Sequence, residues 1–194
     1  MYGRIVESRV PGGRCEVSHQ AVGVVAAFTA WNFPVVLIAR KLAPALAAGC
    51  TVVLRPSSEV PGSAMVIMTC LQKAGLPAGV VNMVVGATAN TYQPLIESPV
   101  VRKVTLTGST AIGQQMIRDS AATLKRVSME LGGNAPMIVF EDADIEKALD
   151  LAVPTKFANC GQVCVTAERF YIHESVAQAF IEGFARRAAA IKVG

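Results

Sequence analysis

The sequence predicts an α/β fold: a parallel sheet doubly wound by helices on its two faces, followed by the start of a second α/β domain. Three observations carry this. Short β-branched runs alternate with helical patterns along most of the 194 residues, the order that sets parallel strands between two helix layers. Apolar residues make up 52% and charged ones only 16%, which excludes disorder and calls for a real core. A glycine pair, Gly132-Gly133, then breaks the alternation and restarts it.

Taken in order, residues 1–21 read as an N-terminal extension or a connecting strand. Val22 to Phe28 reads as a strand, and Pro34 to Ala48 as a helix with Pro34 in its first turn and Gly49 past its end. Thr51 to Arg55 is the next strand; Pro61 to Ala74 is the next helix, stopped by Gly75 and Pro77. Val80 to Val85 (strand), Tyr92 to Glu97 (short helix), Lys103 to Thr107 (strand), Ser109 to about Ala121 (helix) and Arg126 to Leu131 complete the first series. Beyond the glycines come strand Pro136 to Phe140, helix Asp144 to about Asn159, strand Arg169 to His173 and helix Ser175 to Lys192. The domain boundary is therefore set between residues 22–132 and 133–194.

Composition excludes several classes of function. Lys plus Arg number 18 against 14 Asp plus Glu, a net charge of +4. The basic residues lie singly or in pairs such as Arg40-Lys41, Arg102-Lys103 and Lys125-Arg126, too dispersed for nucleic acid. Ala21 to Ala39 runs 19 residues without a charge, the length of a membrane span. Asn32 and Pro34 interrupt it, and its Val- and Gly-rich first half suits a buried parallel strand, so no membrane is expected. The first residues lack the apolar run of a secretion signal, and a cytoplasmic location is expected. Five cysteines without such a signal point to reduced thiols, and His19 and His173 offer no zinc-ligand spacing, so no metal is expected.

Four features carry chemistry. Cys164 closes the run FANCGQVC, where Gly161-Gln162 ends the helical pattern and sets the thiol at an exposed turn. The competing reading is a buried, inert thiol. Cys160 lies within the helix end and reads as a packing residue or a resolving thiol. Glu130, inside the strand-like SMELGG, is either salt-bridged or held with a raised pKa to act as a base. Asn32, in AWNFP just past a strand's carboxyl end, is either a helix cap or an active-site donor. GSTAIG, Gly108 to Gly113, follows a strand and opens a helix, which suits an anion on backbone N–H groups or a plain turn.

Together AWNFP, GSTAIG, MELGG and GQVC resemble the aldehyde dehydrogenase superfamily in their order and in the 34-residue interval from Glu130 to Cys164. The resemblance implies a Rossmann-like NAD(P)-binding domain, partial, over residues 22–132 and the opening of the catalytic domain over residues 133–194. It makes Cys164 the nucleophile, Asn32 with the Cys164 backbone N–H the oxyanion hole, and Glu130 the base that activates water against a thioester. Lys41 matches a site lysine supporting Asn32 and the substrate region. Phe28, Thr29 and Trp31 would line the cofactor cleft, with Ser109, Ile112 and the helix after Gly108 near the pyrophosphate and Leu131 and Gly132 near the nicotinamide. A full-length form is expected to be a homo-oligomer acting on a small aldehyde.

The departures are informative. Where the family usually has Lys and, three residues later, Glu for the adenosine ribose, this chain has Arg55 and Ser58. Loss of the carboxylate removes repulsion against a 2′-phosphate, and Arg55 keeps a cation that can pair with it, so NADP is admissible beside NAD. The wording around Arg40-Lys41 and GQVCVTAERFYIHES is closest to succinate-semialdehyde and lactaldehyde dehydrogenases. Arg40 matches one arginine for a substrate carboxylate, and Ala158 stands where a second would be. Two further readings stay open: an inactive fragment that keeps the fold and some nucleotide binding, and a cofactor-free acyl-transfer or esterase activity of the thiol.

Overall fold

The structure is a computed structural model that describes residues 3–193. Its first strands, β1 (Arg4–Glu7) and β2 (Arg14–Val17), pair antiparallel with Arg4 opposite Val17 and Glu7 opposite Arg14. Residues 1–21 thus contain a hairpin where a single extension or connecting strand was expected. Pro11-Gly12-Gly13 makes the turn, Gly12 at positive φ and the Gly13 N–H donating to the Val10 carbonyl at 2.9 Å.

The main sheet contains β3 (Val24–Phe28), β4 (Thr51–Arg55), β5 (Val81–Met83), β6 (Val101–Gly108) and β7 (Arg126–Leu131), in the order β5-β4-β3-β6-β7 and parallel throughout. The connecting helices are α1 (Pro34–Ala47), α2 (Pro61–Lys73), α3 (Thr88–Glu97) and α4 (Thr110–Ala121). The chain leaves β3 for one side of the sheet and later returns on the other, so this is a doubly wound, Rossmann-like sheet as expected.

Strand periodicity assigns each face. Val25 and Ala27 join Ile38, Leu42, Val52, Leu54 and Ala64 under α1 and α2. Ala26 and Phe28 join Ile96, Val104, Leu106 and Met116 under α3 and α4. Helix α1 stops where Gly49, at φ +77°, turns the chain and the Cys50 N–H donates to the Ala45 carbonyl at 2.9 Å. Lys125, buried just before β7, donates to the carbonyls of Ser98 at 2.6 Å and Val101 at 3.0 Å, closing the loop into β6. Helix α3 starts before the expected Tyr92 because Thr88, Asn90 and Thr91, weak helix formers, hide its first turn.

Gly132 begins a second unit. Its strands β8 (Ala135–Val139) and β9 (Ala167–Ile172) pair in parallel and pack with α5 (Ile145–Phe157) and α6 (Glu174–Ala189). Val139, Leu149, Ala152 and Phe180 form its core, with Phe170 stacked edge-on to Phe184 at 5.5 Å. Asp144 caps α5 by accepting from the Lys147 N–H at 3.2 Å, and Arg187 of α6 pairs with Glu146 and Asp150 of α5.

The core of the first unit gives a stability test. Leu54 is 0% exposed, so Leu54→Ala should cost about 2–5 kcal/mol. Val66 is 63% exposed, so Val66→Ala should stay within about 0.5 kcal/mol. Urea unfolding monitored by circular dichroism reads both, and equal shifts in midpoint would contradict the packing described.

Candidate functional site

One face of the sheet changes character halfway across. On β6, Val104 and Leu106 turn toward α3 and α4, while Lys103, Thr105 and Thr107 turn to the face that α1 and α2 occupy over β3 and β4. The register continues this onto β7, with Arg126 opposite Lys103, Ser128 opposite Thr105 and Glu130 opposite Thr107. The result is a polar half-face beside an apolar one.

Lys41 stands at the seam. It is 8% exposed on α1, and its Nζ donates to Thr105 Oγ1 at 2.8 Å. Burial pushes its pKa down to about 8; the Glu130 carboxylate opposes this and the Lys103 ammonium adds to it. Lys103 in turn donates to Ser128 Oγ at 2.5 Å. Glu130 itself is exposed on an edge strand, which corrects the expectation of a buried carboxylate. Its apolar neighbours Met129 and Leu131 face α4, so the alternation turns Glu130 outward. The row of Thr105, Lys103 and Ser128 is not among the residues that the sequence reading selects, although the alternations KVTLT and RVSMEL display it.

The loop after β3 carries three of the expected residues, Thr29, Trp31 and Asn32. Trp31 is exposed, and Asn32 is half-buried just before Phe33, the N-cap of α1. Thr29 is 6% exposed, and its Oγ1 has no partner among the described residues. Phe28 departs from expectation, because its ring is 5% exposed and packs on Tyr92 at 6.0 Å in the core under α3. Only its backbone reaches the strand's open end. Arg40 is exposed on α1.

At the end of β4 the Arg55 guanidinium is held by Thr88 Oγ1 at 2.9 Å and Thr91 Oγ1 at 3.4 Å, leaving it without a carboxylate partner among the described residues. Ser58 is exposed in the loop that follows. After β6, Gly108 leads into Ser109, whose Oγ accepts from the Ile112 N–H at 3.4 Å as the cap of α4. Ile112 is exposed, and Gly113 lies so close to Leu131 that a Cβ there would meet Leu131 Cδ2 at 2.6 Å. Gly132, exposed, has open space where a Cβ would stand.

These groups gather at the carboxyl ends of β3, β4 and β6, where the strand order reverses and open α/β sheets bind nucleotides. An unpartnered buried hydroxyl, an unopposed guanidinium and a helix N-terminus suit a phosphate-bearing dinucleotide.

In the second unit, Cys164 is exposed at the second position of a turn that the Thr166 N–H closes onto the Val163 carbonyl at 3.1 Å. Gly133 approaches it, since a Cβ there would meet the Cys164 carbonyl oxygen at 3.3 Å. Cys160, read as a packing residue or a resolving thiol within the helix end, lies past that end and is exposed, which departs from the packing alternative. Helix α5 ends at Phe157, and Asn159 (φ 49°), Cys160 (φ 59°) and Gly161 (φ 77°) form a left-handed run that exposes the Cys160 thiol. Pro154 in the last turn and Gly161 beyond mark this early stop.

Among the described residues, no helix is long and apolar enough to cross a membrane, and no cluster of His, Cys, Asp and Glu could hold a metal ion.

Comparison with known proteins gives a consistent result. The model of the aldehyde dehydrogenase family matches residues 1–194. A glutarate-semialdehyde dehydrogenase of Pseudomonas putida and an NADP(+) succinate-semialdehyde dehydrogenase of Escherichia coli are 46% and 45% identical over 194 residues. Each match takes in 100% of this chain and 40% of the relative. A crystal structure of an Escherichia coli NADP-dependent enzyme superposes with a TM-score of 0.96 at 45% identity, over 100% of this chain and 40% of that one. The chain thus spans about 40% of the length of these relatives.

The buried Lys41 makes stability depend on pH. Its pKa falls from 10.5 to about 8 on folding, so the cost of burying the cation is fully present below about pH 8. It is relieved as pH rises through the window between about 8 and 10.5. The unfolding free energy of the native chain should therefore rise relative to Lys41→Met across that window, by up to on the order of 3 kcal/mol. Urea unfolding of both proteins at several pH values checks this; parallel pH profiles would contradict it.

Proposed function

Because this chain belongs to the aldehyde dehydrogenase family, we propose that it carries the nucleophile, the base and part of the cofactor site for NAD(P)-dependent oxidation of a small aldehyde or semialdehyde to the acid. The observation that carries this reading is the exposed Cys164 thiol at the second position of a tight turn. Exposure at a turn leaves the thiol open to substrate, as a nucleophile requires.

In the proposed reaction the Cys164 thiolate attacks the aldehyde carbon, a C–S bond forms, and the carbonyl electron pair moves onto oxygen. The Asn32 amide and the Cys164 backbone N–H donate to that oxyanion. A nicotinamide, when bound, would supply the acceptor for the hydride that the adduct must lose to become a thioester. Glu130 then takes a proton from water as the water oxygen attacks the thioester carbon, and the C–S bond breaks with its electron pair on sulfur, releasing the acid and restoring the Cys164 thiolate. The exposed position of Glu130 on the polar half-face supports this role by leaving water free access to it.

Thr29, Trp31, the Phe28 backbone, Ser109, Ile112 and the N-terminus of α4, with Leu131 and Gly132, would hold the dinucleotide. Arg55, free of a carboxylate rival, and the absence of an acid at Ser58 support NADP as well as NAD. Relatives described as NADP enzymes support the same choice. Semialdehyde substrates are supported by two relatives so described. Arg40, exposed on α1, is the candidate for the substrate carboxylate, and Ala158 offers no second cation.

Two measurements test the reading. With small aldehydes and either cofactor, Cys164→Ser should abolish formation of reduced nicotinamide. Glu130→Gln should keep a first-turnover burst and slow the steady state by about 100-fold or more. An unchanged steady-state rate would remove Glu130 from the mechanism. Separately, Ser58→Glu should shift the ratio of nucleotide dissociation constants toward NAD, read by fluorescence titration; a constant ratio would refute the assignment of Arg55 and Ser58.

A further inference from the structure

The polar half-face holds two lysines, each with a hydroxyl of its own. Lys41 donates to Thr105 Oγ1 and Lys103 to Ser128 Oγ, and Thr105 and Ser128 are cross-strand neighbours. Glu130 lies two residues beyond Ser128 on the same face of β7, a rise of about 7 Å along the strand. Lysine has a long, flexible stem, so nothing in α1 alone fixes where the ammonium sits. Without an acceptor, a cation this buried would turn away or lose its proton.

We propose that Thr105 is a positioning residue: by accepting the hydrogen bond of the Lys41 ammonium, it holds that cation over β6 and β7, where its charge acts on the Glu130 carboxylate. The proposal rests on the reading of Glu130 as the base. It assigns the hydroxyl a task that a valine of the same shape could not perform. Thr105 also keeps the Lys41 ammonium on an acceptor distinct from that of Lys103, so the two like charges are not drawn to one oxygen.

The charged surroundings of Lys41 are few. Glu130 from β7 favours its charge and Lys103 from β6 opposes it. Of the other ionisable groups on neighbouring elements, β4 carries Arg55, tied to Thr88 and Thr91, β7 carries Arg126 opposite Lys103, and α2 carries Lys73 and Cys70; the charges that act on Lys41 are Glu130 and Lys103. The Lys41 titration, near pH 8, therefore reports chiefly on its burial and on the two partners across the sheet.

The test uses the 194-residue chain with carbon-13 in lysine and glutamate side chains, followed by NMR across pH. In the native chain the Glu130 carboxyl signal should show a second inflection at the midpoint of Lys41. Thr105→Val should lower the Lys41 midpoint by about 1 pH unit and erase that inflection, because the ammonium loses its acceptor. Thr105→Ser should restore both, and Lys41→Met should erase the inflection as well. If Thr105→Val does not fold, Thr105→Ala against Thr105→Ser carries the same comparison. A Lys41 midpoint equal in the Ser, Ala and Val variants, or a Glu130 signal indifferent to Lys41→Met, would overturn the proposal. If Glu130→Gln leaves turnover unchanged while Thr105→Val still moves Lys41, the base assignment fails and the positioning role stands.

Discussion

The main sheet of the first unit depends on burying β3 from both sides. Val25 and Ala27 face one helix layer and Ala26 and Phe28 the other, so no residue of the strand's centre can be polar. Such a strand must sit inside a sheet, and the strands on either side must be reached by connections that leave in opposite directions. The gap this creates at the carboxyl end of β3 is where Thr29, Trp31 and Asn32 begin. The same constraint that forbids polar groups inside the strand concentrates them just past its end.

The other half of the sheet follows a different rule. Beyond β3 the face shared with α1 bears Lys103, Thr105, Thr107, Ser128 and Glu130. A lysine ammonium is rarely left in a protein interior without compensation, because the desolvation cost is several times what one neutral hydrogen bond returns. Lys41 is kept at the margin of the core, with a hydroxyl in contact and a carboxylate acting at longer range. Its strained charge is the kind of feature that a fold selected for stability alone would discard for leucine or methionine.

The strands and helices of the main sheet were readable because a sheet buried on both faces writes continuous apolar runs, and Pro34 and Gly49 punctuate α1 at both ends. The position of Glu130 was not. Met129 and Leu131 made its surroundings look apolar, yet a strand sends neighbours to opposite faces, and the two apolar residues spend themselves on the helix side. The pair of Lys41 and Thr105 was beyond reach for another reason: 64 residues separate them, and only the winding of the sheet brings them together. Phe28 shows the converse case, a residue beside the expected cleft whose ring the strand period assigns to the core. The left-handed run at Asn159 and Cys160 carried only an indirect sign, in Gly161 after Pro154.

Among the described residues, strand β7 lies at the edge of the main sheet, and its outer edge carries N–H and C=O groups without a strand partner. Proteins blunt such edges with charge, and here Arg126 and Glu130 stand on the last strand itself. The exposed Glu130 thus places a charge on a strand where charge disfavours intermolecular pairing. An apolar residue in its place would make the molecule stickier as well as chemically different, and a loss of soluble protein could then be mistaken for a loss of function.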